Sequence, residues 1–354
     1  MGSVLIPQPD TIPVSWGWFQ FLLLFTFPLH LLAMNAMLGG LVLGVIQHLR
    51  GGEVQKRLAH RIALATPLVI ALVVNLGVAP YLFLQVLYGQ FIYTSSILIG
   101  ICWILVVPLL MLAYSGAYLY DFRFTSLGRT GVVIAAVCCL LFLTIAAVLS
   151  SNMLLLELPE RYTDYFSHMD GSLLVTGYSA FLPRYLHMVL GAIAIGGLFV
   201  ALLGSFQADR DLHLAEHAKE LGLRTFLAVT AVNILVGMVY LMSLPRGQML
   251  LFMGRDMGAT VAFGIGLLLT AGVMVSAWRR KLGLTIGHAV ALLYVMVFLR
   301  AWLRSGYLRD YFTLDQLEVV PQYSPMVFFF VTLLFGLACL GWLWKKTAET
   351  LART

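Results

Sequence analysis

Residues 130–150 read TGVVIAAVCCLLFLTIAAVLS. The run carries no charge. As a helix rising about 1.5 Å per residue it reaches across roughly 30 Å of hydrocarbon. Eight further apolar runs lie near 15–48, 61–88, 96–120, 181–205, 223–244, 256–278, 284–304 and 324–345. A helix satisfies its own backbone hydrogen bonds without water, so each run is expected to be helical. The first is longer than a minimal span and should tilt or project beyond the bilayer. Of 354 residues, 61% are hydrophobic and 11% charged, against roughly 25% charged in a soluble domain. That balance excludes a soluble fold, and it excludes a disordered chain as well. Cys102, Cys138, Cys139 and Cys339 all lie inside apolar runs, which excludes a disulfide scaffold. The expected fold class is all-α, a polytopic membrane helix bundle of about nine transmembrane helices. It forms one integral membrane domain over 1–354, built as two packed helix bundles.

The net charge of +6 is distributed as a topology signal. With the N-terminus outside, segments 48–61, 121–129, 206–224, 279–281 and 345–354 share one side. They hold about 15 of the 22 basic residues, Arg353 among them. The positive-inside rule then puts the C-terminus in the cytoplasm and the chain in the cytoplasmic membrane. No Lys/Arg run interleaved with aromatics occurs, so no nucleic acid partner is expected. The N-terminus lacks the pattern of a signal peptide, and Ile6 breaks the myristoylation pattern. Longer outer loops fall near 151–180 and 305–323. The first contains Glu157, Glu160, Asp164 and Asp170, read either as a solvated loop or as a dock for a basic partner. No internal repeat or low-complexity tract is visible.

Ionisable groups inside spans are costly and tend to be functional. Carboxylates are almost absent from these spans, and the third has none. Histidine stands out. His30 lies within span one, His187 early in span five and His288 near the inner end of span eight; His48, His60, His168, His213 and His217 fall at span ends or in loops. Neutral imidazole ligates haem iron and tolerates an apolar setting. It equally serves as a hydrogen-bonded helix contact. Gly39 and Gly40 follow His30, and Gly191, Gly196 and Gly197 follow His187. Such glycines admit a macrocycle or a neighbouring helix. At the outer end of span seven stand Arg255 and Met257, a propionate partner and a thioether ligand for the same haem, or a snorkelling cation and a packing residue. Arg300 and Arg304 lie one turn apart near the outer end of span eight, against the charge trend. They read as a clamp for a propionate or quinone, or as snorkelling cations. CxxCH, GxGxxG and Walker motifs are absent. His213 and His217 share a helix face without an HExxH, the pattern of a solvated face. His30 and His48 also share a face, which leaves open an outer and an inner haem with His288 as the inner partner.

Three stretches resemble cytochrome bd quinol oxidase subunit I, in a shortened, distant form: FQFLLLFTFPLHLLAMNAMLGG at 19–40, RYLHMVLGAIAIGGLFVALLG at 184–204 and GRDMGATVAFGIG at 254–266. The nine-span, N-out layout is similar too. The resemblance implies that His187 and Met257 are axial ligands of a low-spin haem b near the outer face, with Arg255 at a propionate. It makes His30 the counterpart of the histidine near the oxygen-reactive haem, and Arg304 that of the family's span-eight arginine. The chain departs from the family in three places. Span three lacks carboxylates, FLRAWLRSGYL at 298–308 lacks the family's glutamate, and the quinol-binding loop is reduced to SLPRGQMLLF at 243–252.

The leading expectation is a haem b-containing integral membrane electron-transfer subunit, holding one or two haems. It would exchange electrons between the quinone pool and an extracytoplasmic redox partner, either a c-type cytochrome or an iron–sulfur or molybdenum protein. One alternative is a terminal quinol oxidase reducing oxygen, which the missing carboxylates oppose. Another is a haem-free membrane transporter or anchor subunit, in which Pro80 and Pro108 break spans and Asn35, Asn75, Gln85 and Asn233 line a path.

Overall fold

A computed structural model describes residues 5–167 and 169–351. His168 and Arg353, both weighed above, lie outside the described residues. Nine helices among the described residues are long and apolar enough to cross a membrane. In order they are α1 Trp16–Arg50, α2 Glu53–Leu98, α3 Gly100–Phe122, α4 Arg129–Leu156, α5 Phe181–Ser205, α6 Leu212–Ser243, α7 Met257–Trp278, α8 Leu282–Leu308 and α9 Tyr323–Leu351. The chain is an all-α, multi-pass membrane protein, and the exposed apolar side chains of its long helices suit contact with lipid.

Two helices run far beyond the expected spans. At 46 residues, α2 would run about 69 Å if straight, more than twice a bilayer core. It bends instead at Tyr88, whose φ of −134° and ψ of 34° are not helical. Beyond the bend, Phe91, Ile92 and Leu98 bury against Leu154, Leu155 and Leu308. Residues 89–95, which fall between the second and third expected spans, are therefore helical and largely interior, and α3 starts only at Gly100. The sixth span begins at Leu212 rather than near 223, because Asp211 caps it. The Asp211 carboxylate accepts the Leu214 N–H at 3.1 Å and pairs with Arg57 at 2.9 Å. His217 lies on this added turn, where its Nε2 is 3.0 Å from Gln47 Oε1, so it is a helix contact rather than part of a solvated face.

The centre is a close crossing of α1 and α5. Gly39 lies against Ala192 and Gly196, and Gly40 against Phe199. A Cβ on Gly39 would come within 2.8 Å of the Gly196 Cα, so only glycine allows this approach. Each central helix pairs with the helix that follows it, α1 with α2 and α5 with α6. The pairings share a register. Gly39 and Gly40 follow His30 by nine and ten positions, and Gly196 and Gly197 follow His187 by the same. Further along, Gly44 packs on Ile62 in one pair; Ala201, its counterpart, packs on Gly222 in the other. The sequence shows no internal repeat, yet the structure contains one. It is carried by contact register: a histidine and a few glycines recur at matched positions, while other contact residues, such as Gly44 and Ala201, differ.

Segments between the long helices are tied down. Ile12 N–H donates to the Glu318 carbonyl at 2.8 Å, and Val320 N–H donates to Ile12 at 2.9 Å. Residues Pro159–Ser167 form a 3-10 helix whose Tyr162 is 1% exposed. By contrast α9 has exposed residues along almost its whole length.

Candidate functional site

Two histidines occupy matching seats. His30 on α1 donates from Nδ1 to the Val73 carbonyl of α2 at 3.0 Å. Gly77, one turn beyond Val73, makes the room: a Cβ there would lie 2.8 Å from the His30 Cε1. His187 on α5 donates from Nδ1 to the Asn233 carbonyl of α6 at 3.3 Å. Gly237, one turn beyond Asn233, plays the same part, with its Cβ position 3.0 Å from the ring. In both cases the glycine stands four residues after the carbonyl.

The acceptor decides the tautomer. A carbonyl can only accept, so the proton sits on Nδ1 and the lone pair is left on Nε2. That is the state in which imidazole ligates a metal, its outer nitrogen anchored and its ring orientation fixed. His288 sits differently, with Nδ1 3.4 Å from the Ser276 hydroxyl between α7 and α8. His48 has Nδ1 3.0 Å from the Tyr120 hydroxyl and stacks on Phe124 at 4.6 Å, with His60 on the same Phe124 ring. His48 and His288 thus belong to different helix groups.

A buried charged cluster lies between the two histidine seats. Glu157, which caps the end of α4, is 2% exposed. This corrects the reading of Glu157 as a residue of an open acidic loop. Its Oε2 accepts from Arg184 Nη1 at 2.8 Å, and its Oε1 lies 3.9 Å from Arg304 Nε. The neighbouring Glu160 is exposed, as a loop residue would be. Arg184 stands three residues before His187 on α5. Arg300 lies within the fields of Arg184, Glu157, Arg304 and Tyr240.

Aromatic rings connect the cluster to both histidines. The Arg300 guanidinium sits 5.8 Å above the Phe27 ring, and Phe27 stacks on His30 at 6.4 Å. On the other flank Tyr240 stacks on His187 at 6.4 Å. Arg304 lies 5.1 Å above Tyr88, at the bend of α2. The site therefore draws on α1, α2, α4, α5, α6 and α8.

Of the residues singled out from sequence, the structure gathers Arg300 and Arg304 with Glu157 and Arg184, and it flanks them with His30 and His187. Arg255 and Met257 stand apart from this cluster, on and just before the first turn of α7. Both are exposed there, Met257 at 75%. Asp256 between them caps α7 through the Ala259 N–H at 2.9 Å. Sequence reasoning named Glu157 only as a loop residue and quoted Arg184 only as the start of the His187 motif, and gave neither a place in the site. A signal for each was present: Arg184 precedes His187 by one turn, and Glu157 is enclosed by leucines in LLLELP.

The residues fit a haem better than a bare ion. Among the described residues no three His, Cys, Asp or Glu side chains gather as an ion site. A haem needs only one or two protein ligands at its iron, plus cations for its carboxylates. Lone pairs at His30 and His187 would meet the first need and the arginines the second; Arg184 Nη2 and Arg300 Nε are buried without a partner among the described residues. No protein-family model matches the chain, and no curated protein matches it.

Proposed function

We propose that the chain is a haem b-containing membrane electron-transfer subunit. It exchanges electrons between the quinone pool and an extracytoplasmic redox partner, such as a c-type cytochrome or an iron–sulfur or molybdenum protein. One observation carries this reading: two histidines at matched positions of a repeated helix pair each have Nδ1 committed to a helix carbonyl and Nε2 left as a lone pair. Helix packing alone asks nothing of Nε2, whereas ligation requires it free.

In this reading the haem, when bound, supplies the one-electron chemistry. His187 would hold one iron, with Met257 as its second ligand on the strength of the cytochrome bd resemblance, and His30 would hold another. Arg255, Arg300 and Arg304 offer positive charge to propionates or to a quinone. The surrounding leucines and aromatics exclude water, which together with the arginines sets the potential. The charge pattern orients the chain with its N-terminus outside. The cluster then lies toward the extracytoplasmic face, since Arg184 opens α5 while Glu157 and Arg304 close α4 and α8.

A reduced-minus-oxidised spectrum with a pyridine haemochrome tests the reading. A sharp low-spin b-type α band is expected, lost in His187→Ala. Purified protein with no Soret band would refute it.

Glu157 lends weight to a second reading, a terminal quinol oxidase. Its principal obstacle is the lack of carboxylates in the spans, and Glu157 is a carboxylate buried at a span end. Oxygen uptake with a short-chain quinol, together with a carbon monoxide-sensitive band, would favour the oxidase.

A further inference from the structure

Three arginines and one carboxylate share the buried cluster, so its side chains leave two positive charges uncompensated. Burying even one unpaired charge is costly. Among the described residues, the ion pairs of these arginines go to Glu157 alone, from Arg184 and Arg304, while Arg300 meets only the face of Phe27. Arg184 spends Nη1 on Glu157 and keeps Nη2 buried and unpartnered; Arg300 Nε is in the same state. Orphan donors of this kind on guanidinium groups mark a place for an anion. The surplus of two charges matches a ligand bearing two carboxylates.

The location names the ligand. Arg184 stands one turn before His187 on the same helix, and Arg300 lies in the field of Arg184 and of Tyr240, the ring stacked on His187. We propose that Arg184 and Arg300 together seat the two propionates of one haem, the haem held by His187. Glu157 is then a positioning residue: by holding Nη1 of Arg184 it leaves Nη2 directed to the ligand. This rests on the haem reading above, and it gives the propionates to two arginines with buried, unpartnered nitrogens rather than to the exposed Arg255.

Esterification removes the propionate charges and leaves the porphyrin unchanged. The test is Soret titration of the full-length protein, prepared haem-free, with haem b and with haem b dimethyl ester. The wild type should bind the ester about 10- to 100-fold more weakly than the free acid, as expected for losing hydrogen bonds between charged groups. Arg300→Gln should reduce that preference, since Arg184 still holds one propionate, and Arg300→Lys should restore part of it. Among the described residues Arg300 carries no ion pair, so its replacement leaves the Glu157–Arg184 pair in place. Equal binding of acid and ester by the wild type would overturn the proposal while leaving the haem reading intact. Binding of neither porphyrin would overturn both.

Discussion

Gly39 of α1 and Gly196 of α5 meet backbone to backbone at the same position of the two repeated helix pairs. A Cβ on either would collide with the main chain of the other, and no rotamer change relieves such a clash. Gly39→Ala and Gly196→Ala should therefore each destabilise the bundle by about 1–3 kcal/mol or more, the range for overpacking. Thermal unfolding in detergent, followed by size-exclusion chromatography, measures the loss. Gly264→Ala, at a site with open space around it, is the control and should be near neutral.

The two histidine seats should respond separately. Gly237→Ala places a methyl group 3.0 Å from the His187 Cε1 and pushes that ring off the Asn233 carbonyl. Gly77→Ala does the same to His30 against Val73. Losing the anchoring of an axial histidine typically costs about 10- to 100-fold in metal affinity. Gly237→Ala should thus weaken the low-spin haem, and Gly77→Ala only a haem on His30. Haem content per protein and the reduced spectrum of each variant separate these outcomes. Identical effects on one haem would show that the seats are not independent.

Glu157→Gln removes the counter-charge of Arg184 without changing side-chain shape. Breaking a buried ion pair from one side costs about 3–5 kcal/mol, because the stranded charge remains. The pair here is 8% and 2% exposed, so solvent relieves little of that. A fall in thermal stability and in folded yield is expected, with Glu157→Asp intermediate. An unchanged melting temperature would mean that Arg184 finds another anion.

Much of this was legible in the sequence and some was not, for physical reasons. Uncharged runs such as 130–150 can only be satisfied as helices in lipid, so span number and approximate position follow from hydropathy. His30 and His187 stood out because polar groups in such runs are costly. Glu157 was obscured by its place: a carboxylate at the end of an apolar run reads as the start of a solvated loop until Arg184, 27 positions away, is seen against it. The repeat was obscured because it is conserved in register. Gly44 and Ala201 do the same work on Ile62 and Gly222 without resembling each other's surroundings.

The cap of α6 separates two small effects at one residue. Asp211 accepts the Leu214 N–H and also pairs with Arg57. The ion pair is 46% and 24% exposed, so it contributes little. Asp211→Asn keeps the capping oxygen and should be near neutral. Asp211→Ala loses it, at a cost of about 0.5–2 kcal/mol, read as a lower melting temperature.

Met257 offers the sharpest spectral test, because the fold does not depend on it. At 75% exposure on the first turn of α7, its side chain has little packing to lose, and Leu is close to it in volume. Met257→Leu should therefore leave stability within about 0.5 kcal/mol of the wild type. Any change in the haem spectrum of that variant then reports the sulfur rather than the fold. If the thioether is the second axial ligand, the low-spin b-type band gives way to a high-spin species that binds carbon monoxide. If the reduced spectrum is unchanged, the second ligand is another side chain, and His187 keeps its place without Met257.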